Sequence, residues 1–202
     1  MSQTDQEPAK RRPRDAQATK ELLLAAATEE FSEHGLAGAR IDRIAERAGA
    51  NKRLLYVYFG DKNQLFDSVL ERQFSQVTEA VALTPEDLGA YAGARFDHLL
   101  ANPQLARLSA WRAFERIEPS ELERRRYQTK IAAIAAAQQA GKLYDGMSAL
   151  DMFALVLRMA DGWLSAPVAL TALAGKDPHS PSRLREHRKA LIDAVHRVTE
   201  PH

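Results

Sequence analysis

A chain of 202 residues, 45% hydrophobic, is long enough to bury a core without covalent staples, and Lys+Arg 28 against Asp+Glu 27 leaves no overall basic excess. Cys 0 excludes a disulfide framework, a thiolate metal site and a cysteine nucleophile, which suits a reducing cytoplasm. The N-terminus is polar, and the apolar run near residues 152–164 is interrupted by Arg158 and Asp161, so the expectation is a soluble cytoplasmic protein with no secretory leader and no membrane span.

Helical periodicity dominates the chain and strand-like alternation is absent at useful length, which predicts an all-α fold. Residues 1–14 are charged and contain proline, and are expected to form a flexible basic arm carrying Lys10, Arg11, Arg12 and Arg14. A first helix over residues 15–33 stacks Leu23, Ala27 and Phe31 at four-residue spacing, with Gly35 as its stop. Ile41, Ile44, Ala45 and Ala48 then make a short amphipathic helix, Gly49 a tight turn, and a second short helix carries Lys52, Arg53, Tyr56 and Tyr58. Two short helices joined by a glycine turn, the second with polar and aromatic groups outward, make a helix-turn-helix that predicts binding to duplex DNA. Lys52, Arg53 and Lys62 cluster around it, and a local basic patch is sufficient for phosphate binding.

After Gly60 and Asp61 a fourth helix, starting near Lys62, repeats an apolar stripe through Phe66, Leu70 and Phe74. Thr84, Pro85, Glu86 and Asp87 read as a helix start with Thr84 as the hydroxyl cap, which places a boundary between a DNA-binding domain at 15–82 and a larger domain at 83–202. Further helices are expected at 85–100, 103–116, 119–140, 149–172 and 182–198. Residues 150–170 are apolar around most of a helix, so this segment must bury two sides, and Pro167 is expected to bend it. The basic residues Arg183, Arg185, Arg188 and Lys189 read as a solvated face of the last helix.

The run Phe31, Gly35, Ile41, Ile44, Ala45, Ala48, Gly49, Leu55, Tyr56, Tyr58, Phe59, Lys62 and Leu65 resembles the DNA-binding domain of the tetracycline-repressor (TetR) family over residues 19–66. The resemblance implies an all-helical homodimer, usually a repressor, that grips a palindromic DNA operator and whose larger C-terminal domain dimerises and often holds a small-molecule effector. Dimerisation is then expected through the 150–170 segment and the last helix. Arg53 is the expected base reader, with Lys52 and Tyr56 also in the first two turns of its helix. Tyr56, Tyr58 and Lys62 resemble positions at which the family holds the phosphate backbone, plain packing being the alternative for the two tyrosines. Arg40 stands where the family commonly has a serine or threonine, and is expected to reach a phosphate, a solvated arginine being the alternative. Leu55 and Phe59 should face the small core.

Phe96, His98, Trp111, Phe114, Tyr127, Met159 and Trp163 are candidates to line an effector pocket, ordinary core packing being the alternative. No metal-ligand spacing, nucleophile motif or cofactor fingerprint occurs, so neither a metal nor a cofactor is expected. An all-helical enzyme using His98 with Asp97 or Glu115 is disfavoured, because adjacent helical positions point apart. The remaining alternative is a helical adaptor for a protein partner.

Overall fold

A computed structural model describes residues 13–115, 118–175 and 177–201. Among them the secondary structure is all helical, with no strand. In order these are α1 (Pro13–Gly38), α2 (Ile41–Arg47), α3 (Lys52–Phe59), α4 (Lys62–Ala80), α5 (Leu88–Ala101), α6 (Pro103–Glu115), α7 (Glu121–Gln139), α8 (Ala149–Asp161), α9 (Val168–Ala172) and α10 (Pro181–Thr199). The chain divides into two compact units, one up to Leu70 and one from Glu71, with α4 running through the division. The expected basic arm lies outside the described residues up to residue 12, and Arg14 belongs to α1 instead, since Pro13 supplies a pre-set φ for a first helical turn.

The first unit closes on Leu23, Ala27, Phe31, Ile44, Leu55, Leu65, Phe66 and Val69, none of which retains exposure. Phe31 of α1 and Phe66 of α4 meet edge to face with ring centroids 4.9 Å apart. At Gly35 the backbone leaves helical geometry (φ 66, ψ −177), so the expected stop is a kink from which the chain continues to Gly38 before turning into α2.

In the second unit α5, α7, α8 and α10 share a core that includes Leu88, Tyr91, Phe96, Ile134, Met152, Phe153, Val156, Leu191 and Val195. Hydroxyl caps set the starts of two of these helices: Ser120 accepts from the Glu123 N–H at 3.2 Å, and Ser148 from the Asp151 N–H at 3.0 Å. Three expectations need correction here. Thr84 does not cap α5; Thr84 to Asp87 form a turn closed by the Asp87 N–H on the Thr84 carbonyl at 3.0 Å. Asp87 is the cap, accepting from the Ala90 N–H at 2.7 Å and meeting His196 Nε2 of α10 at 2.9 Å.

The helix expected over 149–172 is two helices: α8 ends at Asp161 with Gly162 as its cap, a turn runs through Ser165, and Pro167, which lacks an N–H and disfavours helical geometry at Ala166, keeps that turn from running on into α9. Pro167 therefore caps α9 and does not bend a continuous rod. The basic face of α10 is also not merely solvated, since Arg188 Nε donates to Asp97 Oδ2 of α5 at 2.8 Å and Arg183 stacks over the Trp163 ring at 4.7 Å. No described helix is long and apolar enough to cross a membrane.

Candidate DNA interface

The angle between α2 and α3 follows from backbone chemistry at one turn. Gly49 takes φ 59, the Gly49 N–H bonds the Glu46 carbonyl at 3.0 Å, and the Ala50 N–H bonds the Ala45 carbonyl at 2.9 Å. Those two bonds are a Schellman stop, which requires a left-handed residue and so favours glycine. Two residues later Asn51 caps α3, its side chain accepting from the Arg53 N–H at 2.8 Å. Stop and start abut, so α3 leaves α2 in a set direction. Ile44 and Ala45 on α2, with Leu55 and Phe59 on α3, are buried beneath it.

Arg40, at the start of α2, provides no side-chain cap. Glu30 of α1 takes over that role: its Oε1 accepts the Arg40 N–H at 2.9 Å and the Arg43 Nε at 2.7 Å while its side chain is fully buried. A second clasp links the same two helices, with Arg47 bonded to Glu29 at 3.2 Å and Glu33 at 3.3 Å. Burial acts to raise the Glu30 pKa, but the hydrogen bonds from Arg43 and the Arg40 N–H, with the charges of Arg43 and His34, outweigh it and leave the carboxyl below its ordinary value. A depressed carboxyl contributes stability above its unfolded pKa and loses it as pH falls through the folded value. Acid titration should therefore loosen the first unit below the usual glutamate range, and Glu30→Gln should flatten that dependence; amide exchange of α2 across pH 3 to 7, the span around an ordinary glutamate pKa of about 4.3, reads both.

The outward side of α3 presents Arg53, Tyr56 and Val57, spaced to share one face, with Tyr56 49% and Val57 67% exposed. The Arg53 and Arg40 side chains are exposed, and neither guanidinium has a partner among the described residues. Lys52 differs, since its Nζ pairs with Asp42 of α2 at 2.6 Å, and the hydrogen bond it donates to the Asp42 carboxylate raises its pKa. Tyr58 is half-buried with its ring edge-on to Phe59. Lys62 is also occupied: its ammonium donates to the Ala37 and Ala39 carbonyls at 3.4 and 3.2 Å, where α1 ends.

The structure thus brings Arg53 and Tyr56 onto one exposed face, sets the Arg40 guanidinium free at the start of α2, and gives Lys52 and Lys62 partners inside the chain. Val57 was missed by sequence reasoning, although its spacing of four from Arg53 was a usable signal; an outward methyl pair suits contact with a thymine methyl. Glu30 was missed too, and a carboxylate on the apolar face of Ala27 and Phe31 was its signal.

Of the seven candidate effector residues, Phe96 belongs to the core of the second unit, and Tyr127, Met159 and Trp163 pack against that same core. Phe96 is fully buried against His187, ring centroids 5.3 Å apart, and Trp163 lies 5.0 Å from the same His187 while donating its indole N–H to the Pro178 carbonyl at 3.2 Å. Tyr127 packs 5.3 Å from Phe74 and 6.1 Å from Phe153. Met159 and Trp111 are half-buried, and His98 is half-buried with Nε2 inaccessible and without a hydrogen-bond partner. Phe114 must be withdrawn as an interior residue: it is 85% exposed, because α6 turns Leu105 and Leu108 inward and Phe114 falls on the opposite side.

Comparison with known proteins covers both units. Residues 23–69 match the family model described as bacterial regulatory proteins, tetR family, and residues 87–197 match that of the tetracyclin repressor-like C-terminal domain. The chain is 38% identical over 180 residues to the HTH-type transcriptional repressor SCO4008 of Streptomyces coelicolor, covering 87% of this chain and 94% of that one. It is 30% identical over 185 residues to the HTH-type transcriptional repressor Rv3405c of Mycobacterium tuberculosis, covering 89% and 88% respectively. Among solved structures, SCO4942 of Streptomyces coelicolor, described as a transcriptional regulator, superposes with a TM-score of 0.79 at 36% identity over 90% of this chain and 98% of that one.

Proposed function

Because the chain belongs to the TetR family of bacterial transcriptional regulators and is a DNA-binding regulator, not an enzyme, we propose that it works as a homodimeric, effector-responsive repressor in the cytoplasm. The observation that carries this reading is the exposed face of α3, where an unpaired guanidinium stands beside a phenol and an apolar methyl pair on a rigidly capped helix. Arg53 reads a base edge in the major groove and Val57 meets a thymine methyl there. Arg40, Tyr56 and Tyr58 hold phosphates, while Lys52 and Lys62 add positive potential and reach phosphate only by exchanging their present partners. Two such helices, one from each subunit, enter successive grooves about 34 Å apart on a palindromic operator.

Support for pairing comes from α8, whose Leu150 and Leu155 are 59% and 46% exposed alongside an exposed Ala154, while Met152, Phe153 and Val156 of the same helix are buried. An effector in the second unit releases DNA to the extent that it prefers a subunit arrangement in which the recognition helices are wrongly spaced.

Fluorescence anisotropy on an operator selected from random duplexes tests the residue roles. Arg53→Ala should lower operator affinity by roughly 5- to 150-fold, about 1–3 kcal/mol, with little change on random duplex. Arg40→Ala should weaken every duplex alike and reduce the salt slope by about one. Equal losses on operator and random duplex in the Arg53 variant contradict base reading.

A further inference from the structure

Within the second unit, α5, α7 and α8 enclose more positive than negative charge. Arg95 of α5 is matched by Asp161 of α8, Nε to Oδ1 at 3.1 Å and a terminal nitrogen to Oδ2 at 3.2 Å, and Arg112 of α6 is matched by Glu123 of α7. Two further cations, Arg126 and Lys130, sit four residues apart on α7 and so project from the same face. Neither has a carboxylate among the described residues. One terminal nitrogen of Arg126 donates to Ser75 Oγ at 3.0 Å, and the other is inaccessible and has no hydrogen-bond partner. Lys130 Nζ reaches only the Tyr91 hydroxyl, at the 3.5 Å limit, and lies 5.5 and 5.9 Å from the Tyr91 and Phe153 ring centroids. Burial, and then repulsion from Arg95 and Arg126, pulls the Lys130 pKa down, which is the signature of cations gathered without a counter-charge.

We propose that Arg126 and Lys130, backed by Arg95 and walled by Tyr91, Tyr127 and Phe153, form a binding site for an organic anion, a carboxylate carried on an aromatic body. The proposal builds on the reading of the second unit as the effector-binding part and names the class of effector. The charge argument is one of balance: a desolvated cation beside like charges is costly, and a carboxylate between Arg126 and Lys130 relieves desolvation and repulsion together. Guanidinium and ammonium both donate, and a carboxylate accepts from each. The aromatic body follows from the walls, since Tyr127 packs within 6.1 Å of Phe153 and Tyr91 within 6.0 Å of the same ring, so flat apolar surface adjoins the cations.

Two cations drawn partly out of water with no carboxylate beside them among the described residues are a source of instability. Thermal unfolding of the full chain should therefore rise by about 2–5 °C in Lys130→Met without any ligand, and Arg126→Met should behave likewise. In the wild type, benzoate and 2-naphthoate should raise the transition in a saturable way, while benzamide, 2-naphthamide and inorganic phosphate do not, and the carboxylate response should vanish in Lys130→Met. A lowered transition in both ligand-free variants, equal response to acids and amides, response to phosphate alone, or no response to either carboxylate overturns the proposal. These measurements contain no DNA, so failure of the wild type to bind any duplex would overturn the regulator reading and leave the anion result standing.

Discussion

Phe31→Ala destabilises the first unit by about 3–5 kcal/mol, because a fully buried ring is lost and its edge-to-face partner Phe66 is left facing a cavity. Phe31 lies on the turn of α1 next to Glu30, which holds the start of α2, so the collapse of this contact also frees the helix-turn-helix from its support. Both tryptophans of the chain, Trp111 and Trp163, belong to the second unit. Far-UV circular dichroism should accordingly show helix lost at lower temperature in the variant, while the tryptophan fluorescence transition moves less. Operator affinity should fall with the helical signal, and Phe31→Leu, which keeps most of the volume, should cost under about 1.5 kcal/mol. Coincident transitions shifted equally in both signals, or an unchanged one in circular dichroism, would count against this packing.

Asp161→Ala has the second large effect, and in the other unit. Its carboxylate is 24% exposed and its partner Arg95 17%, so the ion pair is largely withdrawn from water. Removing one member strands a guanidinium that already faces Lys130, and breaking such a pair costs on the order of 3–5 kcal/mol, even though an intact pair contributes little net stability. The asymmetry supplies the check. Asp161→Ala should lower the tryptophan-detected transition by several degrees, whereas Asp161→Ala combined with Arg95→Met should recover much of the loss, giving, with the Arg95→Met single variant, a coupling energy well above the ~0.5 kcal/mol of independent sites. Additive losses in the double variant would show that the two side chains do not act as a pair.

Local chemistry made the first unit readable from the sequence. The apolar stripe of α1, the glycine between α2 and α3 and the outward Arg53 and Tyr56 all depend on neighbours within a turn or two, and the structure places them as the pattern implied. What escaped was contact between distant positions. Glu30 meets Arg40 and Arg43, ten and thirteen residues on, and its place on the apolar face of Ala27 and Phe31 hints at burial without saying which distant groups it meets. Arg95 and Asp161 lie 66 residues apart, and the lack of a carboxylate beside Arg126 and Lys130 emerges only once the helices are assembled. The break at Pro167 was visible as a proline, but the apolar run across it disguised whether the chain bends or stops. Thr84 and Asp87 are both competent caps, and a turn through Pro85 decided between them. Four of the effector candidates chosen by residue type, Phe96, Tyr127, Met159 and Trp163, fall in or against the ordinary core of the second unit, because aromatic and methionine side chains serve cores as readily as pockets.

The most direct measurement is equilibrium anisotropy of the full-length protein on a fluorescent duplex chosen from random sequence, against a scrambled duplex, between 50 and 300 mM salt. Saturable binding should favour the chosen sequence by at least ~10³-fold, with the logarithm of affinity falling linearly against the logarithm of salt concentration. Equal affinity for both duplexes, or binding indifferent to salt, would contradict a recognition helix presenting Arg53 to the bases.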